Sequence, residues 1–185
     1  GNLSVQIPYV KMIVKAMGIP VLEKEGFEAD DIIGTLVEDL KKREEEVYIV
    51  TSDKDMMQLV SERVFIVDTM KNLLIGEKEV EEKFGIKPHL MTDYLALCGD
   101  ASDNIPGVSG IGEKTARELV VSHGSIEEIY ENLDSIKKAS VRDKLVERKD
   151  FAFMSKQLAT IRLDVPLDLT VDSIAMKEQD ITALR

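Results

Sequence analysis

The sequence predicts an α/β fold, with a parallel-sheet core over residues 1–87 and an all-helical part over residues 88–185 that carries a helix-hairpin-helix. Three observations lead there. Apolar, β-branched runs at Val47–Val50 and Val64–Val67 have the character of sheet strands. Such runs stop near Pro88, and beyond it apolar residues recur at helical spacing. Between Leu97 and Arg117 a turn with glycine at 107, 110 and 112 runs into a helix start at Glu113.

In chain order, Leu3, Ile7, Val10, Val14 and Met17 fall at helical spacing, with Pro8 near the start or at a kink and Gly18 as the stop. Pro20-Val21-Leu22 reads as a short strand. Gly26 then turns the chain into a helix over 27–43 that buries Ile32, Ile33, Leu36, Val37 and Leu40. Val47–Val50 reads as a buried parallel strand, so strand, helix and strand make a βαβ unit. A short helix at 56–60, a strand at Val64–Val67 and a hairpin strand at Leu73–Ile75 follow. Helices over 77–84 and 88–98 lead to the glycine turn, and further helices are expected at about 115–123, 125–132, 141–148 and 151–161. No internal repeat or low-complexity linker interrupts the chain.

Composition sets bounds on function. With 185 residues, 44% hydrophobic and 32% charged, the chain can build a real core. Its single cysteine, Cys98, excludes a disulfide framework and a cysteine-based zinc site, and reads as a small buried apolar residue. No apolar run reaches the ~18 residues of a membrane span and no leader-like segment is present, so the expected setting is soluble and intracellular, in the cytoplasm, with no membrane partner. Gly1 stands where Met would, which suggests a piece of a longer chain. The net charge of −11 argues against a polyanion partner if read globally, yet metal-binding carboxylates contribute to it and cations would neutralise them. Setting aside the seven acids named below, the remaining 28 of 35 still outnumber the 24 basic residues, so a polyanion could be held only at local patches.

Three acid clusters stand out. Glu28-Ala29-Asp30-Asp31 opens a helix; Glu28 and Asp31 share a face while Asp30 points about 100° away from Asp31. Acids do favour the first turn of a helix, but three in four residues is an excess that costs stability unless a cation offsets it. Asp53 and Asp55 follow the Val47–Val50 strand, at the end where open α/β sheets place ligands, although one of them could be an ordinary helix cap. Asp100 and Asp103 form the third cluster. None fits a calcium-loop pattern, and carboxylate-rich sites suit Mg²⁺ or Mn²⁺. His89 and His123 lie apart from the acids in sequence, so no histidine base is evident and metal-activated water is the natural nucleophile.

The glycine turn points to phosphate. A flexible turn running into a helix offers free N–H groups at the positive end of the helix dipole, and Lys114 and Arg117 add full charges. A Walker loop is excluded because Glu113 follows Gly112, and a dinucleotide fingerprint because Thr115 stands where its third glycine would. What remains is a hairpin that grips a nucleic-acid backbone, or a tight helix connection with no ligand.

Together the residues Gly-Asp-x-x-Asp-Asn-x-Pro-Gly-Val-x-Gly-Ile-Gly-x-Lys-Thr-Ala resemble the signature of the 5′-nuclease (flap endonuclease) superfamily. The likeness is greatest to the 5′→3′ exonuclease domains of bacterial DNA polymerases I. It runs from about Val5 to Leu163, with E-A-D-D, T-x-D-K-D and G-D-x-x-D-N in family order. It implies a PIN/flap-endonuclease-like fold acting as a 5′→3′ exonuclease and flap endonuclease in replication and repair. It further implies that Glu28, Asp30, Asp31, Asp53, Asp55, Asp100 and Asp103 are catalytic ligands of two divalent ions, Mg²⁺ or Mn²⁺. Gly107, Gly110, Gly112, Lys114, Thr115 and Arg117 match the hairpin that holds duplex phosphates, where the family also binds K⁺ through hairpin carbonyls. The implied partner is DNA with a 5′ flap, a nick or a 5′ end, and the parent chain would also be a DNA polymerase.

Family members begin with strands bearing two further metal-site aspartates and a basic helical arch, and nothing before Leu3 matches these. The expectation is a chain that is weak or inactive alone and that takes the missing N-terminal segment as a partner. Two other classes remain. In a non-catalytic, structure-specific DNA-binding module the acids would be relics; a metal-dependent phosphatase of small substrates would leave the hairpin without a role.

Overall fold

The computed structural model describes residues 3–184; Gly1, read above as a remnant of a longer chain, lies outside them. The chain divides into two compact units, Gly1–Arg43 with Arg162–Arg185, and Glu44–Ile161.

In the first unit, α1 (Leu3–Ala16) forms as its spacing predicts, with Pro8 inside it. None of its residues is buried, and Leu3, Ile7 and Val10 stand exposed within the unit. Gly18 ends the helix with a positive φ, and its carbonyl accepts the Lys177 N–H at 2.8 Å, which ties the C-terminal segment to the end of α1. The expected strand at Pro20–Leu22 is absent: these residues form no ladder, and proline lacks the N–H that a central strand needs. With it goes the predicted βαβ unit. The helix α2 (Ala29–Lys41) buries Ile32, Gly34, Thr35 and Val37. The Thr35 hydroxyl accepts the Val165 N–H at 3.1 Å, fastening the segment after residue 162 onto α2.

The second unit holds the sheet. Strand β1 (Val47–Val50) lies parallel to β2 (Val64–Asp68), which pairs antiparallel with β3 (Leu73–Ile75), in the order β1-β2-β3. The crossover between the parallel strands carries a single 3₁₀ turn at Asp55–Leu59, whose Met56, Met57 and Leu59 are buried. In β1 only Ile49 is buried, and Tyr48 and Val50 are 53% and 67% exposed. The sequence suggested a strand covered on both faces, but β1 is the sheet's edge and its residues alternate, as a half-covered strand's do. Tyr48 stacks on Phe65 across the β1–β2 register, with ring centroids 5.4 Å apart.

Helices supply the rest of this unit: α3 (Glu77–Phe84), α4 (Met91–Cys98), α5 (Glu113–His123), α6 (Ile126–Glu131), α7 (Ala139–Glu147) and α8 (Lys149–Ala159). The segment expected as one helix over 88–98 is a 3₁₀ turn at Pro88–Leu90 followed by α4. The central helix is α4, packed against α8 and α5, with Met91 and Tyr94–Leu97 buried. It also buries Asp93, whose carboxylate accepts the Ile126 N–H at 2.9 Å and meets the Lys156 ammonium at 2.7 Å. That pairing satisfies the charge and sets the start of α6 against α4.

Candidate metal centre and nucleic-acid interface

The end of β1 delivers the first acids. Asp53 Oδ1 accepts the Asp55 N–H at 3.0 Å, an Asx turn that leads into the 3₁₀ turn that Asp55 opens. The N-cap position of that turn is Lys54, so neither acid is the ordinary N-cap that the sequence allowed for. The end of α4 delivers Asp100. An antiparallel bridge closes its loop, with Asp100 and Ile105 exchanging N–H···O bonds of 2.8 Å in both directions.

These turns bring Asp55, Asp100 and Asp103 together. One carboxylate oxygen of each lies within 4.8 Å of the others, near the ~4.2 Å span across an octahedral Mg²⁺ ion. Their environments differ. Asp100 is buried, and its Oδ1 accepts the Ser102 N–H at 3.0 Å and hydroxyl at 2.6 Å while Oδ2 is ion-paired with Lys54. Burial works to raise its carboxyl, but the Lys54 and Ser102 hydrogen bonds hold it below its ordinary value. Asp55 is half-buried, and its Oδ1 is enclosed without a hydrogen-bond partner. Burial, then the charges of Asp53, Asp103 and Asp100, push its carboxyl up to about 6 against the opposing pull of Lys54. An enclosed carboxylate oxygen with no donor beside two further carboxylates fits a hard divalent cation.

Lys54 was not among the residues the motifs singled out. Its ammonium faces Asp100 and donates to Ser102 Oγ at 3.2 Å. The only signal was its place between two acids in T-x-D-K-D.

Glu28, Asp30 and Asp31 belong to the other unit. Glu28 is the N-cap residue of α2, and its N–H donates to Asp31 Oδ2 at 3.3 Å. Asp31 Oδ1 accepts the Arg162 N–H at 2.9 Å. Both Asp31 oxygens therefore meet backbone donors of their own unit. Asp30 is half-buried in the first turn of the same helix.

The glycine hairpin closes against α4. The Val108 N–H donates to the Leu97 carbonyl at 2.8 Å, and the Gly107 N–H to the buried Ser155 hydroxyl at 2.9 Å. Gly107 has φ +62, and a Cβ there would run into the Gly99 backbone nitrogen, so only glycine fits. Gly112 is the N-cap residue of α5, with open space where a Cβ would stand. The first intrahelical bond runs from the Ala116 N–H to the Gly112 carbonyl at 2.9 Å, placing Glu113, Lys114 and Thr115 in the helix's opening turn. Lys114 is exposed and Thr115 half-buried. Arg117 lies over Gly85, where a Cβ would come within 2.8 Å of Arg117 Cδ, and its Nε is buried without a hydrogen-bond partner. At the far side of the hairpin Lys144 Nζ donates to the Gly110 carbonyl at 2.9 Å.

Two family models cover nearly the whole chain: 5′-3′ exonuclease, N-terminal resolvase-like domain, over residues 1–85, and 5′-3′ exonuclease, C-terminal SAM fold, over residues 86–182. The chain belongs to the 5′-3′ exonuclease family. Among relatives of this family, DNA polymerase I of Caldicellulosiruptor bescii is 48% identical over 183 residues, which are 96% of this chain and 21% of that protein. The 5′-3′ exonuclease of Buchnera aphidicola is 42% identical over 182 residues, 95% of this chain and 64% of that one. The chain thus spans about a fifth of the length of the polymerase and under two thirds of the shorter exonuclease. In fold it is similar to a variant of the T5 5′-exonuclease, with TM-score 0.70 and 23% identity over 76% of this chain and 58% of that chain. The catalytic core of Rad2 in complex with DNA gives TM-score 0.59 and 19% identity over 98% and 62% of the two chains. The exonuclease-family fold, with a small sheet followed by helices, is the one the motifs predict. Among the described residues no helix is long and apolar enough to cross a membrane.

Proposed function

We propose that the chain acts as a metal-dependent 5′→3′ exonuclease and 5′-flap endonuclease domain on DNA, within a DNA polymerase I. The observation that carries this reading is the meeting of Asp55, Asp100 and Asp103, with Asp55 Oδ1 buried and unpartnered. In it, residues 1–87 are the α/β core that supplies Asp55 to the metal site, and residues 88–185 supply Asp100 and Asp103 together with the DNA-binding hairpin.

Asp55, Asp100 and Asp103 hold divalent Mg²⁺ or Mn²⁺, with Asp53 close to them in the chain; Glu28, Asp30 and Asp31 are ligands by the family pattern alone. When bound, two such ions supply a nucleophile at neutral pH and offset charge on the phosphoryl and leaving oxygens. The chain's own residues prepare that site. Ser102 fixes Asp100 by two hydrogen bonds, so its carboxylate is oriented in advance. Lys54 supplies the counter-charge that keeps Asp100 ionised. Asp55, whose Oδ1 has no hydrogen-bond partner, would offer that oxygen to a cation. Gly107, Gly110 and Gly112 shape the turn, and Lys114, Thr115 and the first N–H groups of α5 receive the duplex backbone. Arg117 supports that face from its place over Gly85.

The test is cleavage of 5′-labelled flap duplex with Mg²⁺ or Mn²⁺ by the full-length protein and by its Asp100→Asn variant. Cutting that needs the metal, and falls on the order of a hundredfold or more in the variant, is the expected result. Equal cutting by both proteins would remove Asp100 from the site. Tight flap binding without cutting, under every metal condition, would make the chain a binding module.

A further inference from the structure

The hairpin holds a side chain that its motif does not contain. Lys144, on α7, donates from Nζ to the Gly110 carbonyl oxygen at 2.9 Å. Its stem lies along the same residue: a Cβ on Gly110 would come within 2.6 Å of Nζ, 2.8 Å of Cε and 3.2 Å of Cδ. Gly110 has φ +82, a conformation that strains any other residue there, and the Lys144 side chain lies across its exposed face.

An ammonium 2.9 Å from a carbonyl oxygen stands where a monovalent cation on that oxygen would stand. The resemblance implies a K⁺ bound by hairpin carbonyls. In this chain a K⁺ on Gly110 would share its oxygen with a full positive charge. The hairpin therefore does not fit a free ion at Gly110.

We propose that Lys144 is the hairpin's built-in cation. It neutralises the Gly110 carbonyl, holds the turn that aims α5, and keeps its remaining N–H donors for the phosphate that Lys114 and the start of α5 receive. Lys144 is half-exposed, so it reaches solvent from the position in which it grips the loop. It acts on the phosphate site as a positioning residue through Gly110 as well as by charge. This inference rests on the nucleic-acid reading of the hairpin above.

The experiment is binding of a labelled 5′-flap duplex by the chain in EDTA over a series of salt concentrations, with K⁺ and Na⁺ as the monovalent ion at matched ionic strengths. The wild type is expected to bind equally in the two salts. Lys144→Met is expected to bind about tenfold more weakly. Its salt dependence should be shallower by about 0.9 in log–log slope. Part of the lost affinity should return in K⁺ but not in Na⁺, because the vacated carbonyl can then take an ion; Lys144→Arg should bind as the wild type does. A Lys144→Met variant with unchanged affinity and slope overturns the proposal. So does a wild type that weakens several-fold when Na⁺ replaces K⁺. Should Lys144→Met fail to fold, the wild-type salt comparison and the arginine variant decide. A wild type that binds no DNA in either salt overturns the nucleic-acid reading itself, a separate result from loss of the Lys144 role.

Discussion

The acid cluster and the hairpin sit on either side of one short loop after α4 and treat their polar groups in opposite ways. In the cluster, Asp55 Oδ1 is enclosed with no hydrogen-bond partner, and Asp100 Oδ2 has only the Lys54 ammonium. In the hairpin, the Gly107, Val108 and Ile111 N–H groups and the Gly110 carbonyl each have a partner. A buried carboxylate without donors costs stability, whereas a backbone turn with its bonds made is rigid. The difference separates a site built to take up a cation from one built to present a fixed surface.

Gly107→Ala tests the rigid half most severely. Its Cβ meets the Gly99 backbone rather than a movable side chain, and φ +62 is costly for alanine. The expected loss is about 2–4 kcal/mol. Denaturant unfolding would measure it, and a loss below about 1 kcal/mol would show that the hairpin yields more easily than its bonds suggest.

Ser155→Ala is the gentler probe of the same half. Ser155 is fully buried on α8, and its hydroxyl accepts the Gly107 N–H. Removing it leaves that donor enclosed and unpaired, for about 1–2 kcal/mol. Thermal unfolding would fall by a few degrees, roughly 2–4 °C per kcal/mol for a chain of this size. An unchanged midpoint would mean that the N–H finds another partner.

How much of this was legible in the sequence follows from how local each feature is. Asp53, Asp55, Asp100 and Asp103 are readable as acids at turn and helix ends, because those patterns span a few residues. That Asp55 should meet Asp100 is a tertiary fact; only the family pattern joined the two. Lys144 carries no signal at all, since its helix looks like any amphipathic surface helix and its partner is a backbone carbonyl in a distant loop. Val47–Val50 was over-read because β-branched composition is shared by central and edge strands, and only the strand order shows Tyr48 and Val50 to be exposed. The Pro20–Leu22 strand failed for the same reason: three apolar residues name a propensity, and a ladder needs a partner.

The cation-seeking half is tested by Asp55→Asn, with an effect smaller than the two above and opposite in sign. The folded-state carboxyl titrates near 6, above its ordinary 3.8, mainly through burial and then through its acidic neighbours. The fold thus binds this proton more tightly than the unfolded chain does, so stability falls as pH rises from about 4 to about 6 and stays lowered above that. Asparagine cannot carry the charge. In EDTA at pH 7 the variant should be more stable than the wild type, by about 1 kcal/mol once solvent screening of a half-buried group is allowed for. Most of that advantage should be gone near pH 4, where the folded carboxyl is protonated and the unfolded one is close to its ordinary 3.8. With Mg²⁺ or Mn²⁺ the order should reverse, because the wild type gains the free energy of ion binding and the variant has lost a ligand. Melting curves at pH 4 and pH 7, with and without the metal, read both signs. A variant less stable than the wild type in EDTA at pH 7 would show that Asp55 is satisfied without a cation, and the contrast between the two halves would fall.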